Sequence, residues 1–350
     1  MSRENTFFKP KEASSVLMGD LARLIEKIES DPENARINPV DFIDYTVIIN
    51  GKKVNKFPRA MVETDLAEVE YYKEKFAQGS GKDDPRYRSE STLRGALVES
   101  MLPLMIRELS WLGPQVKVIP TSLYDDYKRQ IDSAIQLLPN REIKDEHDIR
   151  CVGFSIDFTT SLEESYRKVF YQALALYHGD IPSIKYFKTD IVTKEGVKTI
   201  MLPNFKVPRV VLSCSGDFVD DASEDFAAYE EGNRDPKLMK KLDDSDVKFY
   251  VIRETVAQLV FFGEVIERFL KDEKAKGVEA DGKMIDQYQI ALDIYDNALF
   301  QFQEIIKSLG YNRKMVDEKI KHIPSPTNKF NLDTSAGETF YTWIRKTNYP

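Results

Sequence analysis

The chain has 350 residues, 42% of them hydrophobic and 11% aromatic, and its 50 lysines and arginines stand against 58 aspartates and glutamates for a formal net charge of -8. That apolar content suffices for a large buried core and excludes disorder of the whole chain. The acidic balance excludes general coating of a polyanion, which depends on lysine and arginine neutralising phosphates, so any nucleic-acid contact must be gathered into a local groove.

The opening MSRENTFFKPKEASS has no apolar stretch of signal-peptide length, and no run approaches the roughly 18 apolar residues of a membrane span. Cys151 and Cys214 lie in apolar strand-like runs and read as buried free thiols of a reducing compartment. The expectation is a soluble, cytoplasmic protein with no membrane association. Residues 12–29 put Val16, Leu17, Leu21, Leu24, Ile25 and Ile28 at helical spacing. The stretch DYTVIINGKKVNKFP predicts two strands around Asn50-Gly51, a dipeptide suited to a type I′ hairpin. Residues 62–76 predict a helix, and AQGSGKDDPRYRS reads as the connection that closes an N-terminal region over 1–88.

From Ser89 helices and strands alternate. Leu93, Leu97, Met101, Leu104 and Met105 form one arc of a helix over Ser91–Trp111, which Pro103 should kink or break. QVKVIP predicts a strand, and SLYDDYKRQ a short helix capped by Ser122 with Asp125 and Asp126 in its first turn. SAIQLLP and RCVGFSIDF predict neighbouring strands, followed by a helix whose apolar face includes Leu162, Tyr166, Val169, Phe170, Ala173 and Leu174. SIKYFK, KTIMLP and VPRVVLSCSG add strands. The fold class is therefore α/β, with a central mixed sheet flanked by helices over 89–220. Asp217, Asp220 and Asp221 open an acidic stretch that reads as a solvated loop. Within 221–325, the segments 246–271 and 284–309 predict an antiparallel helical hairpin, packed on the core through faces including Val256, Leu259, Val260, Ile266 and Phe269. It could also offer a surface to a protein partner or a second copy. The tail 326–350 carries Phe340, Tyr341, Trp343 and Ile344, able to dock on the chain's own core or on a partner.

The chemistry concentrates on Asp132, at the start of one predicted strand, and Asp157, near the end of the next. If those strands are antiparallel neighbours, both carboxylates meet at one edge of the sheet. Two carboxylates there offer the hard oxygens that magnesium requires, while water and a phosphate fill its other positions. The plain alternative is a strand-initiating acid and a solvent-facing one. Asp125 and Asp126 are a reserve acid pair. An acid-bearing helix, a strand beginning with Asp, a second strand ending in an acid and then a helix resemble the core of the PD-(D/E)XK nuclease superfamily, over roughly residues 89–215. The resemblance implies a restriction-endonuclease-like core, a bound Mg2+ and nucleic acid as substrate. It further implies Asp132, Asp157 and a helical glutamate as metal ligands, and a lysine two residues beyond the second acid to assist the attacking water. Thr159 stands where that lysine would be, and Lys168 on the following helix is its replacement, although helical projection puts it away from the apolar face. For the helical acid, Glu90 shares the arc of Leu97 and Leu104, whereas Glu99 projects opposite it and Glu108 lies beyond Pro103. A helix-start acid such as Glu90 is equally suited to the helix dipole.

Other chemistries lack their signatures. His147, His178 and His322 have no zinc-like spacing, and the chain has no P-loop, no G-x-G-x-x-G and no G-x-S-x-G. Two readings follow: a Mg-dependent nuclease served by Lys128, Arg129, Arg94 and Arg167 as phosphate contacts, or a non-catalytic binding or structural protein of the same architecture in which Thr159 records lost chemistry.

Overall fold

The computed structural model describes residues 23, 26, 30, 35–49, 52–78, 98–137, 152–159, 161–193, 196–214, 216–321 and 323. The expected helix over 12–29 falls largely outside them. So do Glu90, Arg94, Cys151, His147, His322 and the tail 326–350.

A four-stranded mixed sheet lies at the centre, in the order β3 (Val116–Pro120), β4 (Ser133–Leu137), β5 (Val152–Thr159) and β8 (Arg209–Ser213). The first three are antiparallel and β8 runs parallel to β5. The parallel pair needs a crossover, which α4 (Leu162–Tyr177) supplies before the long hairpin β6–β7 (Ser183–Thr193 and Gly196–Lys206). A two-stranded unit of β1 (Thr46–Ile49) and β2 (Lys52–Asn55) has the expected pairing, with Ile49 opposite Lys52. Its turn residues, Asn50 and Gly51, lie outside the described residues.

Alternation along the strands sends side chains into two cores. Val118 and Ile135 join one apolar cluster, while their neighbours Ile119 and Ala134 join another. The first cluster takes in α2 (98–108), α4 and the C-terminal helices. The second holds Phe42, Phe57, Val62 and Tyr186, joining the residues around α1 (Arg59–Gln78) and α3 (Leu123–Arg129) to the sheet and to β6. Gly153 sits where the β4–β5 register shifts; a Cβ there would lie 2.8 Å from the Ile135 carbonyl oxygen. That close approach needs glycine.

After the short α6 (Pro236–Asp243), the expected C-terminal hairpin is present as α7 (Asp246–Ala275) and α8 (Gly282–Ser308), capped by Ser245 and Asp281. It shares the first core. Leu259, Ile266 and Phe269 are buried, Val256 and Val260 half-buried, and Phe302 meets Phe154 of β5 edge-on at 5.1 Å. Two expectations need correction. The acidic stretch after β8 is not a loop but α5 (Gly216–Glu230), because buried Ala222, Phe226 and Tyr229 recur at helical spacing within the acids. Pro103 does not break α2, which is helical throughout 98–108, with Pro103 itself buried. Among the described residues no helix is long and apolar enough to cross a membrane.

Candidate functional site

Three backbone devices bring acids together at the edge where β4 begins and β5 ends. The Asp132 N–H donates to the Ile156 carbonyl at 2.9 Å, and Asp132 Oδ2 accepts from the Phe158 N–H at 2.6 Å. Asp132 thus holds the β5 backbone on either side of Asp157, once through its own backbone N–H and once through its side chain. Helix α3 forms the second device. Ser122 caps it by accepting from the Asp125 N–H, and Gln130 ends it in the left-handed region at φ 56°. The chain then returns so that the Thr121 N–H and hydroxyl both donate to the Asp132 carbonyl, each at 3.1 Å. Closing this loop brings Asp126 of α3 to Asp132. The third device is α2, packed through Val98, Met101, Leu102 and Met105, which carries Glu99 to the same place. Carboxylate oxygens of Glu99, Asp126 and Asp132 lie within 4.8 Å of one another.

Asp157 and its partner stand beside this trio. Lys168 Nζ of α4 donates to Asp157 Oδ1 at 2.5 Å, in a pair whose side chains are 14% and 2% exposed. Asp157 Oδ2 is buried with no hydrogen-bond partner. Arg36 Nη1 lies 3.0 Å from Asp126 Oδ2.

The electrostatics follow from crowding acids in a dry place. Burial, with Asp126 next, pushes the Glu99 carboxyl up to about 7, against the opposing charges of Arg36 and Lys168. Burial pushes Asp132 well above the usual carboxylate range, reinforced by Asp126, Glu99 and Asp157 and opposed by the Phe158 N–H. Asp157 is raised by burial despite Lys168 and Arg209. Divalent cations relieve such repulsion. The donors fit: all are hard carboxylate oxygens, and Asp157 Oδ2 is an orphaned acceptor. Octahedral magnesium at ~2.0–2.1 Å places its ligands roughly 3–4 Å apart, so an adjustment of about 1 Å closes the observed trio around an ion.

The arrangement unites Asp132, Asp157 and Lys168 of the sequence-based set. Glu90 lies outside the described residues, and on α2 it is Glu99 that reaches the cluster. Projection missed this because α2 is buried on most sides, so the arc opposite its apolar residues faces the acids of α3 and β4 rather than solvent. The same reason corrects the reading of Lys168. Buried Ser165 and Gln172 and half-buried Lys168 form a polar stripe on α4 at helical spacing, and Gln172 donates to the Arg209 carbonyl. Thr159 Oγ1 instead accepts from the Ser161 N–H at 3.2 Å, within the turn into α4. Three cations expected to meet phosphate are committed elsewhere: Lys128 to Glu68, Arg129 to Ser183 and Arg167 to Glu164. Arg36 escaped the sequence reading because it lies between the predicted helix over 12–29 and the predicted hairpin, outside any recognisable element. A shallow depression formed by Arg313, Lys314, Asp317, Glu318 and Lys321 belongs to the C-terminal helices and includes i,i+4 ion pairs.

Comparisons with protein-family models, with curated proteins and with solved structures found no match for this chain.

Proposed function

We propose that this protein is a magnesium- or manganese-dependent phosphodiesterase acting on nucleic acid, with a core of the PD-(D/E)XK nuclease kind. The observation that carries the reading is the meeting of Glu99, Asp126 and Asp132 within 4.8 Å beside the Asp157–Lys168 pair. An acid-bearing helix, a strand entered through Asp132, a neighbouring strand ending near Asp157 and a helix bearing Lys168 follow the order that such a core requires. Glu99, Asp126 and Asp132 would hold the ion, and the orphaned Asp157 Oδ2 would complete the set. When bound, a divalent cation supplies Lewis-acid stabilisation of phosphate charge and activates water for attack. Lys168 takes the part of the lysine that Thr159 replaces: its ammonium fixes Asp157 Oδ1 and keeps two further N–H donors to orient water or a phosphate oxygen.

The test is cleavage of a mixed panel of single- and double-stranded DNA and RNA with magnesium, manganese or a chelator. Wild type should cleave at least one substrate in a metal-dependent way, and Asp132→Asn, Asp157→Asn and Glu99→Gln should each lower the rate about a hundredfold or more. No cleavage by wild type, with the same metal response in wild type and Asp157→Asn, defeats the reading. A second reading, a non-catalytic binding protein, is favoured by one observation: Arg36 and Lys168 already pair with Asp126 and Asp157. On that reading divalent cations leave the melting temperature unchanged.

A further inference from the structure

Three cations act electrostatically on the acid cluster: Arg36, Lys168 and Arg209. Two make directed hydrogen bonds to fixed partners. Lys168 holds Asp157, and Arg209 donates to Gln172 Oε1 at 2.9 Å and to the Arg129 carbonyl at 3.1 Å. Arg36 differs. Its Nη1 is buried and close to Asp126 Oδ2, yet it has no hydrogen-bond acceptor, so the ion pair rests on proximity and not on a directed bond. An ion pair without a well-directed hydrogen bond leaves the guanidinium with N–H capacity that an oxygen arriving with a ligand can satisfy.

The backbone beneath Arg36 is firmly built. Ile37 is buried, Asn38 Oδ1 caps the short turn Pro39–Phe42 by accepting from the Val40 N–H at 3.0 Å, and fully buried Phe42 meets Phe57 and Tyr186 edge-on at 5.3 and 5.2 Å. The guanidinium is therefore held against the cluster by an aromatic anchor in a separate core, while its side chain keeps 33% of its surface in solvent. A rigid, always charged fork at the rim of a carboxylate site is suited to phosphate oxygens, because it supplies several N–H donors in one plane and cannot lose its charge.

We infer that Arg36 is a phosphodiester-binding residue of this site, donating from its guanidinium to a non-bridging oxygen of the nucleic-acid backbone next to the Glu99–Asp126–Asp132 cluster. The inference rests on the metal-dependent phosphodiesterase reading and deepens it, since it assigns the substrate's anionic group to a side chain of the N-terminal segment. Lys128, Arg129 and Arg167, the contacts expected from sequence, are thereby demoted to structural ion pairs and bonds.

The test separates ion from phosphate. Binding of a short fluorescein-labelled single strand of mixed sequence, once as DNA and once as RNA, is measured by anisotropy with calcium as a slow-turnover substitute for magnesium. Binding of Mn2+ alone is measured by calorimetry on the same proteins. Arg36→Gln should weaken binding of the strand about tenfold, Arg36→Lys should recover part of the loss, and neither should lower Mn2+ affinity by more than about twofold. The tighter of the DNA and RNA arms identifies the preferred sugar. If Arg36→Gln binds the strand as wild type does while Asp132→Asn loses Mn2+, the inference falls and the metal site stands. A wild type that binds Mn2+ but no strand has the same consequence. Parallel losses of strand binding, Mn2+ binding and melting temperature in Arg36→Gln would make the residue structural and also overturn the inference. A wild type that binds no Mn2+ overturns the site reading together with it.

Discussion

Asp125 and Asp126 are consecutive residues in the first turn of α3, and they enter opposite environments. Asp125 is surrounded by donors: the Ser122 hydroxyl at 2.7 Å, the Lys185 N–H at 2.6 Å and the Tyr186 N–H at 3.1 Å, with Arg129 at 3.7 Å. It ties α3 to the start of β6. Asp126 points instead toward Glu99 and Asp132, with Arg36 at its side. Burial raises the carboxyl of Asp125, as it does those of Glu99 and Asp132, so the direction of a pKa shift does not separate structural acids from functional ones. Their neighbours do. A buried acid among N–H and O–H donors is already satisfied, whereas a buried acid among acids needs a cation.

The comparison predicts different penalties at adjacent positions. Asp125→Ala strands two backbone N–H groups of β6 and the Ser122 hydroxyl, and should lower stability by ~3–5 kcal/mol in urea unfolding. Asp126→Ala, in a chelator, should cost less than ~1 kcal/mol, because lost repulsion offsets the lost Arg36 pair. Similar large losses at both positions would end the distinction.

The next effect is one of pH. A folded-state Glu99 carboxyl near 7 holds its proton more tightly than the unfolded chain does. Stability is then greatest below the ordinary glutamate range near 4.5, falls as pH rises toward 7 and levels off above it. With chelator present, wild type should lose roughly 3 kcal/mol between pH 4.5 and 7 through this residue. Glu99→Gln should remove that part of the fall and leave the part due to Asp132, which has the same sign. Magnesium should counter the fall near neutral pH, stabilising wild type by ~2–3 kcal/mol at about a hundred times its dissociation constant, and the gain should vanish in Asp132→Asn. The smallest effect belongs to the rim. Arg167→Ala breaks an exposed pair with Glu164 and should change stability by less than ~0.5 kcal/mol, with no change in Mn2+ affinity.

The sheet and the helical hairpin were legible because their signals are local. Alternation marked β3, short apolar runs marked β4 and β5, and long apolar stripes marked α7 and α8. The juxtaposition of Asp132 and Asp157 was legible for the same reason, since a strand's start lies beside the end of its antiparallel neighbour. Glu99, Asp126 and Arg36 depend on how elements pack, which periodicity does not encode. Glu99 projects opposite the apolar arc of α2, and the return of the chain through Gln130 brings the acids of α3 and β4 to that side. Asp125 and Asp126 are indistinguishable in sequence, because what separates them is the position of β6, whose Lys185 is 60 residues from Asp125.

Calorimetric titration of Mn2+ into the 350-residue chain, repeated for Glu99→Gln, Asp126→Asn and Asp132→Asn, tests the central claim most directly. One saturable site in wild type, weakened about tenfold or more by each substitution while all three variants keep a cooperative unfolding transition, is the predicted result. Absence of saturable binding in wild type, or binding that all three substitutions leave unchanged, would contradict it.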